Sequence, residues 1–233
     1  MIITIDGPAG AGKSSIAKHL AQHLTDQATT AGADRTHKMF EYLDTGSMYR
    51  AVALLGVRSH IDWNNPSELE RLTEEADIDV VDGRTYLNSE DVTEAVRQPD
   101  ITETIRFAAD NPVIRQKMVA VQRNIARRLV SSGKGLVTEG RDQGTAVFPD
   151  AHCKFFLTAT PEERTRRRLS EWEQRGIVGN FDETRRQIIE RDERDAARRV
   201  GPLCEPPDAH RIVSDDMTIE EVIAKICSLL AIV

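Results

Sequence analysis

A strand, a glycine-rich turn and a helix at the start of the chain constrain its fold more than any other feature. Residues 2–6 are apolar and mostly β-branched, as in a buried parallel strand. The segment Gly7-Pro8-Ala9-Gly10-Ala11-Gly12-Lys13-Ser14 follows, and then apolar residues recur at helical spacing. Glycines let backbone amides surround a polyphosphate, and the start of a helix adds the positive end of its dipole. The pattern therefore predicts a phosphate-binding loop.

The loop predicts specific contacts with a nucleoside triphosphate. We expect Lys13 to reach the β- and γ-phosphates and the Ser14 hydroxyl to contact Mg²⁺. The residues predicted to bind ATP through the loop are Gly7, Gly10, Ala11, Gly12, Lys13, Ser14 and Ser15. The alternative, a glycine-rich turn without a ligand, is disfavoured because both the residues and their strand-to-helix context match.

The rest of the chain alternates between strand and helix patterns, which predicts an α/β fold with a parallel sheet. Further strands are expected at 40–43, 136–139, 155–157 and 211–213. Helices are expected at about 15–24, 112–132, 161–175, 182–199 and 218–230. Another helix is expected to follow residue 50 and end at about 57, and one more is expected to start at residue 66. Residues 25–38 have no period and predict a surface loop.

One stretch differs from this pattern. Between 58 and 103 there are 13 acidic and 4 basic residues, and Asp82-Gly83 between two apolar runs predicts a hairpin. We expect residues 61–105 to form a small inserted subdomain. Residues 1–60 and 106–233 would then form the core, with an arginine-rich helical lid at about 161–181.

Composition excludes several classes of protein. Apolar residues make up 39% and charged residues 30%, which is typical of a folded enzyme-sized domain. No apolar run is long enough for a membrane helix, and the three cysteines are too far apart for a disulfide framework or a zinc site. The net charge of -7 argues against general nucleic-acid binding. We expect a cytoplasmic monomer that binds neither nucleic acid nor membrane.

Arginine is unevenly distributed. Of the 31 basic residues 24 are Arg, and residues 164–211 hold 12 Arg, no Lys and 10 acidic residues. Guanidinium groups bind phosphate bidentately, so this segment favours a site for several phosphates, although some of these arginines must form surface ion pairs. Arg50 and Arg141 are further cations that a second phosphate could reach. Two phosphorylated substrates facing each other need such cations to suppress their repulsion.

Four segments resemble the bacterial cytidylate (CMP) kinases, in order and over nearly the whole chain. They are residues 3–14, residues 43–50 with Asp44-Thr45-Gly46 and Tyr49-Arg50, residues 139–151 with Glu139-Gly140-Arg141-Asp142-Gln143-Gly144-Thr145, and Glu190-Arg191-Asp192 through Arg198 with Pro202-Leu203. The resemblance implies a P-loop nucleoside monophosphate kinase that acts in pyrimidine nucleotide metabolism. It would transfer the γ-phosphoryl group of ATP to CMP or dCMP with Mg²⁺.

The resemblance also implies a role for each site residue. The catalytic residues would be Lys13, Arg50 and Arg141, and the last two would hold the CMP phosphate. Cytosine would be surrounded by Thr45, Arg115, Asp142 and Arg198, and the pentose would face Arg191 and Asp195. The ATP phosphates would be covered by Arg164 and Arg168. The spacing of residues 191, 195 and 198 would put them on one helix face. An Asp for the cytosine amino group and an Arg for its acceptors complement that base chemically.

The sequence departs from the family pattern at a few positions and leaves alternatives open. Thr45 stands where Ser is expected, Arg106 stands where a Ser near the pentose is expected, and the loop at 25–38 is long. Arg106 would therefore bear on the choice between CMP and dCMP. A kinase for another monophosphate or small metabolite, and a regulatory nucleotide-binding protein without transfer activity, remain alternative interpretations.

Overall fold

The computed structural model describes residues 1–30, 39–174 and 176–230, without the side chains of Thr30 and Pro99. Its strands are β1 (Ile2–Asp6), β2 (Phe40–Asp44), β3 (Ile78–Val81), β4 (Arg84–Leu87), β5 (Glu90–Asp91), β6 (Gly135–Gly140), β7 (Cys153–Thr158) and β8 (His210–Val213). Its α-helices are α1 (Lys13–Thr30), α2 (Thr45–Arg58), α3 (Pro66–Glu75), α4 (Pro99–Ala109), α5 (Pro112–Ser131), α6 (Pro161–Glu173), α7 (Phe181–Ala196) and α8 (Ile219–Leu230). A 3₁₀ turn (Ala95–Arg97) and a π-helical turn (Gln143–Val147) complete the described elements.

Five strands form a parallel sheet in the order β2-β6-β1-β7-β8, with helices packed against it. The predicted α/β fold is confirmed. Strand β1 lies at the centre, and its residues Ile3 and Ile5 are wholly buried in one of the two hydrophobic clusters. Because neighbouring strands are in register, Asp6 lies opposite Gly140 and Asp44 lies opposite Glu139. The carboxyl ends of β1, β2 and β6 therefore bring these residues to the same edge of the sheet.

The acidic stretch forms a small antiparallel sheet in the order β3-β4-β5. Asp82 and Gly83 connect β3 and β4 with φ values of 50° and 74°, which is the geometry of a tight two-residue hairpin turn. The predicted hairpin is confirmed. Buried side chains of this region, such as Leu69 and Val80, share a hydrophobic cluster with α2 and α5.

Several predicted boundaries differ from the structure. Helix α1 continues to Thr30, so the prediction of a loop is wrong for residues 25–30, and the remainder at 31–38 lies outside the described residues. Helix α4 was not anticipated, and the predicted subdomain boundary at 105 falls inside it. Helix α7 ends at Ala196, because the backbone N–H of Ala197 closes the last turn onto Glu193. Arg198 therefore lies beyond the helix.

None of the described helices combines the length and apolar character that crossing a membrane requires. The described cysteines, Cys153, Cys204 and Cys227, are all free thiols.

Candidate functional site

A cavity of about 840 Å³ opens at the carboxyl edge of the parallel sheet. Its volume is in the range of small-molecule sites, and its position is the crevice in which α/β sheets bind ligands. Among the described residues that line it, nine are Lys or Arg and six are Asp or Glu. A chain of net charge -7 thus concentrates positive charge around this cavity, as binding of polyanions requires.

The predicted phosphate loop forms one wall. Residues Gly10, Ala11, Gly12, Lys13, Ser14 and Ser15 line the cavity, whereas Gly7 does not. Gly7 has a φ of 149°, and a Cβ there would lie 1.9 Å from the carbonyl oxygen of Leu157. Its role is therefore to let the loop pass against β7, since only glycine fits so close to another backbone.

Lys13 is buried at the start of α1 and donates a hydrogen bond to the carbonyl oxygen of Pro8 at 2.8 Å. Burial, with a further contribution from Arg141, lowers the pKa of Lys13 to about 7. An anionic ligand beside this amine would offset both effects, because it supplies the missing opposite charge.

Two carboxylates, those of Glu139 and Asp44, lie on adjacent strands at the edge of the sheet near the phosphate loop. The Ser14 hydroxyl donates to Oε1 of Glu139 at 2.8 Å, and Asp44 lies opposite Glu139 on the adjacent strand. Burial, and then the charge of Glu139, raise the pKa of Asp44. These are hard oxygen donors with an unfavourable mutual repulsion, so they fit Mg²⁺. The described residues hold no cluster of three or more metal-ligating side chains. Sequence reasoning missed Glu139 as the partner of Ser14, although Glu139 ends a predicted strand.

The opposite end of the cavity contains a buried ion pair. Nη2 of Arg115 lies 2.5 Å from Oδ2 of Asp142, and the two side chains are 3% and 6% exposed. Arg115 also donates to the carbonyl oxygen of Ala109 at 2.9 Å and stacks over the ring of Tyr49 at 5.2 Å. Its Nε is buried without a hydrogen-bond partner. An unsatisfied buried donor is costly, so the pair is held here by its surroundings and not by complete hydrogen bonding.

A second network of charges borders this pair. Nε of Arg141 lies 2.8 Å from Oδ2 of Asp195, and Arg198 bridges Asp195 at 2.5 Å and Asp110 at 2.7 Å. Burial opposes ionisation of Asp195, but Arg141 and Arg198 outweigh it and lower its pKa. The network joins α7 to the turn between α4 and α5. It also brings Arg198 to the cavity from beyond the end of its helix.

Three other cations in the cavity are free of close partners. Within the described part of the chain, Arg168 and Arg191 make no hydrogen bond or ion pair with protein, and Arg50 has only Asp44 at 3.7 Å. Arg168 stacks over Trp172 at 5.3 Å. Burial, and then repulsion by Arg141, lower the pKa of Arg191 to about 10. An anion placed among these groups would relieve that repulsion, as the predicted phosphate contacts require.

Arg164 does not line the cavity, so the structure contradicts the expectation that it faces ATP. It is buried and donates to the carbonyl oxygens of Ala159 and Ala9, each at 3.0 Å. Arg166 and Arg167 of the same helix line the cavity instead. Nη1 of Arg167 lies 3.8 Å from where a Cβ of Gly12 would stand, so Arg167 is the closer candidate for the phosphates. Sequence reasoning did not separate these arginines because they are adjacent in the chain.

Arg106 is exposed, stacks over Phe107 at 4.9 Å and does not line the cavity. Its placement therefore gives no support to the expectation that it bears on the pentose, which stays a prediction. Ile105 and Ala109, one turn apart, line the cavity in its place. Thr45 also lines it, and its hydroxyl donates to the carbonyl oxygen of Glu139 at 2.7 Å.

Six residues that no sequence motif marks line the part of the cavity beside the phosphate loop, called the donor side below. They follow β8 and start α8: Ser214, Asp215, Met217, Thr218, Ile219 and Val222. Their apolar members suit a flat heterocycle, and Arg167 donates to Ser214 Oγ at 3.2 Å. No motif marks them, because only the fold brings β8 beside β7.

Asp6, at the end of β1, supports the loop that carries Arg141 and Asp142. Its carboxylate accepts the backbone N–H groups of Gln143 at 2.8 Å and Gly144 at 2.7 Å, and the side chain is wholly buried. Burial raises its pKa to about 7, more than these two amides lower it.

Some arginines of the arginine-rich segment at 164–211 form surface ion pairs, as the sequence analysis expected. Arg185 pairs with Glu162 at 2.7 Å, and Arg186 pairs with Glu183. Both pairs are largely exposed and lie away from the cavity lining.

Comparisons with known proteins agree with this geometry. The family model described as cytidylate kinase matches residues 3–231. A cytidylate kinase of Rhodopirellula baltica is 45% identical over 95% of this chain and 89% of its own length. A cytidylate kinase of Clostridioides difficile is 40% identical over 98% and 97%. A bifunctional pantoate ligase/cytidylate kinase of Prochlorococcus marinus is 40% identical over 98% of this chain, which spans 43% of that protein.

Proposed function

The chain belongs to the cytidylate kinase family, and we propose that it transfers the γ-phosphoryl group of ATP to CMP or dCMP. The products are ADP and CDP or dCDP. The observation that carries this proposal is a single cavity with two unlike ends. The phosphate loop with Lys13 lies at one end, and the buried Arg115–Asp142 pair lies at the other.

The acceptor end suits cytosine. The base offers an amino donor, a ring nitrogen and a carbonyl oxygen, so it needs an acceptor beside a donor. Oδ2 of Asp142 is occupied by Arg115, whereas Oδ1 makes no hydrogen bond within the described residues. The guanidinium groups of Arg115 and Arg198 line the cavity and can supply the donors. Uracil, with a carbonyl in place of the amino group, would present an acceptor to the Asp142 carboxylate.

The cations between the two ends suit the reacting phosphates. Arg50, Arg141, Arg168 and Arg191 line the cavity, and three of them lack a close partner. The CMP phosphate is a monoester, largely dianionic at neutral pH, so no strong general base is needed. Loop amides, Lys13 and the arginines would hold the two phosphates in line and stabilise charge on the transferred group.

The Ser14 hydroxyl and the Glu139 carboxylate would hold Mg²⁺, with Asp44 close behind them. When bound, the ion supplies charge neutralisation at the ATP phosphates. Phosphate oxygens and water would complete its ligands, because the described residues hold no larger cluster of metal-ligating side chains.

The domain roles belong to the same proposal. Residues 61–105 would serve as the monophosphate-binding insert on a core of residues 1–60 and 106–233. The segment at about 161–181 would act as a lid that excludes water, since an open site would hydrolyse ATP. The enzyme would work as a cytoplasmic monomer in pyrimidine nucleotide metabolism.

A panel of acceptors tests the proposal. ADP formation from ATP is measured with CMP, dCMP, UMP, AMP, GMP and small metabolites that carry a hydroxyl group, and without any acceptor. We expect CMP and dCMP to stimulate ADP formation far more than the others. Equal stimulation by another acceptor would indicate a different kinase. No stimulation by any acceptor would favour the alternative of a regulatory nucleotide-binding protein.

A further inference from the structure

Both backbone polar groups of Ala9, in the middle of the phosphate loop, are bonded to side chains from two distant helices. The Ala9 N–H donates to Oδ1 of Asp192 on α7 at 3.3 Å. The Ala9 carbonyl oxygen accepts from Nη1 of Arg164 on α6 at 3.0 Å. The same Nη1 lies 2.5 Å from Oδ2 of Asp192. The three residues form a closed ring, called the Ala9 clamp below.

The chemistry of the Ala9 clamp argues against a role in phosphate binding. Asp192 is an anion beside a loop that binds anions, and it occupies an amide that a phosphate could otherwise accept from. Arg164 neutralises Asp192, and its Nε is held by the carbonyl oxygen of Ala159 at 3.0 Å. The Arg164 side chain is 5% exposed. The Asp192 side chain is 20% exposed, so the guanidinium is the buried member of the pair. Removing Asp192 would leave that buried charge uncompensated, which favours the observed geometry.

The loop is also shaped to receive helix α6. Gly10 has a φ of 76°, and a Cβ on it would lie 3.3 Å from the Cβ of Arg164. The close approach of α6 therefore depends on the loop conformation, independently of the hydrogen bonds to Ala9.

The two helices that meet at the Ala9 clamp carry residues for both ends of the cavity. On α7, Asp192 follows Arg191, which lines the cavity, and precedes Asp195, which bonds Arg141. On α6, Arg164 lies one turn before Arg167, which lines the cavity and bonds Ser214 on the donor side. Any movement of the loop at Ala9 must therefore shift α7 or break the ring.

We infer that Asp192 and Arg164 are positioning residues that fix the phosphate loop against α7, so that ATP at the loop and CMP at the far end strengthen each other's binding. The inference rests on the proposed function. Coupling of this kind is reciprocal, because the ligands favour the same arrangement of loop and helix.

Binding measurements on the full chain test it. The affinity for CMP is measured by calorimetry with and without a saturating non-hydrolysable ATP analogue and Mg²⁺. We expect the analogue to strengthen CMP binding by about 10-fold in the unsubstituted protein, which is a common size for such coupling. In Asp192→Asn the factor should fall to about 1, while the affinity for CMP alone stays within about 2-fold.

A matched control comes from the same two helices. Glu162 and Arg185 also join α6 to α7, at 2.7 Å, but both are exposed and do not touch the loop. Glu162→Gln makes the same carboxylate-to-amide change, and it should keep the coupling factor because exposed pairs contribute little. Equal loss of coupling in Glu162→Gln and Asp192→Asn would overturn the inference.

A second variant guards against loss of folding. Arg164→Lys keeps the charge but cannot bond Ala9, Ala159 and Asp192 together, so its coupling should also fall. Thermal unfolding identifies any variant that no longer folds. An unchanged factor in a folded Asp192→Asn or Arg164→Lys, or no coupling in the unsubstituted protein, would refute the role. If the acceptor panel selects another monophosphate, the same measurement with that acceptor tests the Ala9 clamp separately from the choice of substrate.

Discussion

The two ends of the cavity hold their charges differently. At the acceptor end each cation already has a carboxylate: Arg115 pairs with Asp142, and Arg198 pairs with Asp195 and Asp110. In the middle, Arg168 and Arg191 have no protein partner within the described residues. The acceptor end is therefore a preassembled, nearly neutral network, whereas the middle keeps unbalanced positive charge.

This difference matches what each region would bind. A nucleobase is neutral and is selected by the direction of its hydrogen bonds, so paired side chains with fixed orientation suit it. Phosphates are anions, and a cation that is already paired with a protein carboxylate would bind them with little additional stabilisation. The structure thus separates specificity from charge stabilisation, and substitutions at the two regions should have different kinetic effects.

Lys13→Ala should have the largest effect. It removes the buried cation at the loop, so kcat should fall by about two orders of magnitude or more, while the CMP:UMP preference remains. Steady-state ADP formation checks this. Lys18→Ala, on the exposed face of the same helix, is the control and should stay near full activity. Near-normal turnover in Lys13→Ala would end the assignment of the loop.

Asp142→Asn should act mainly on specificity. Arg115 would hold the single oxygen of the amide, which leaves an NH₂ group where the cytosine amino group needs an acceptor. The ratio of kcat/KM for CMP to that for UMP should therefore fall by about 10- to 100-fold. Asp79→Asn breaks an exposed pair with Arg128 and serves as control. An unchanged ratio in a folded Asp142→Asn would remove Asp142 from the base site.

Asp6→Asn should change how stability depends on pH. The pKa of Asp6 is raised from 3.8 to about 7 in the folded protein, so between these values the folded state binds a proton that the unfolded chain does not. The free energy of unfolding should therefore decrease as pH rises through this range, by up to about 4 kcal/mol. Asp6→Asn should flatten that decrease.

Urea denaturation at pH 5, 6, 7 and 8 measures both proteins under the same conditions. Parallel pH profiles of the two proteins would mean that Asp6 titrates near its ordinary pKa. Its two amide donors would then outweigh its burial.

Arg106→Ser should have the smallest effect. Because Arg106 lies outside the cavity, the CMP:dCMP ratio of kcat/KM should stay within about 2-fold. Ile105→Ser, on the cavity side of the same helix, is the contrasting variant and should shift the ratio. A larger shift from Arg106→Ser than from Ile105→Ser would contradict the placement of α4.

Local patterns were enough to predict the parallel sheet, the hairpin and many of the residues that line the cavity. Gly12-Lys13-Ser14 follows its strand directly, and Asp82-Gly83 has the residues that its turn geometry needs. Helix α4 was missed although its signal was present, since Pro99 starts it and Ile101, Ile105 and Ala108 recur at helical spacing.

Other features depend on contacts that no local pattern contains. Arg164 and Arg167 are equivalent in sequence, and only the packing of α6 against the loop turns one to Ala9 and the other to the cavity. The family pattern places residue 106 near the pentose, but which residues of α4 line the cavity depends on the orientation of that helix. Ile219 and Val222 became candidates only once β8 paired with β7.

The order of strands in the central sheet has a consequence for synthesis. Strand β1 is made first, yet its partners β6 and β7 lie more than 130 residues later, and β8 comes after residue 209. During translation the first segment must wait for most of the polypeptide before its backbone can pair, so long-range closure should govern the folding rate. A ribosome-bound chain arrested before β8 would hold the residues for cytosine but lack those after β8, and so could not yet assemble the donor side.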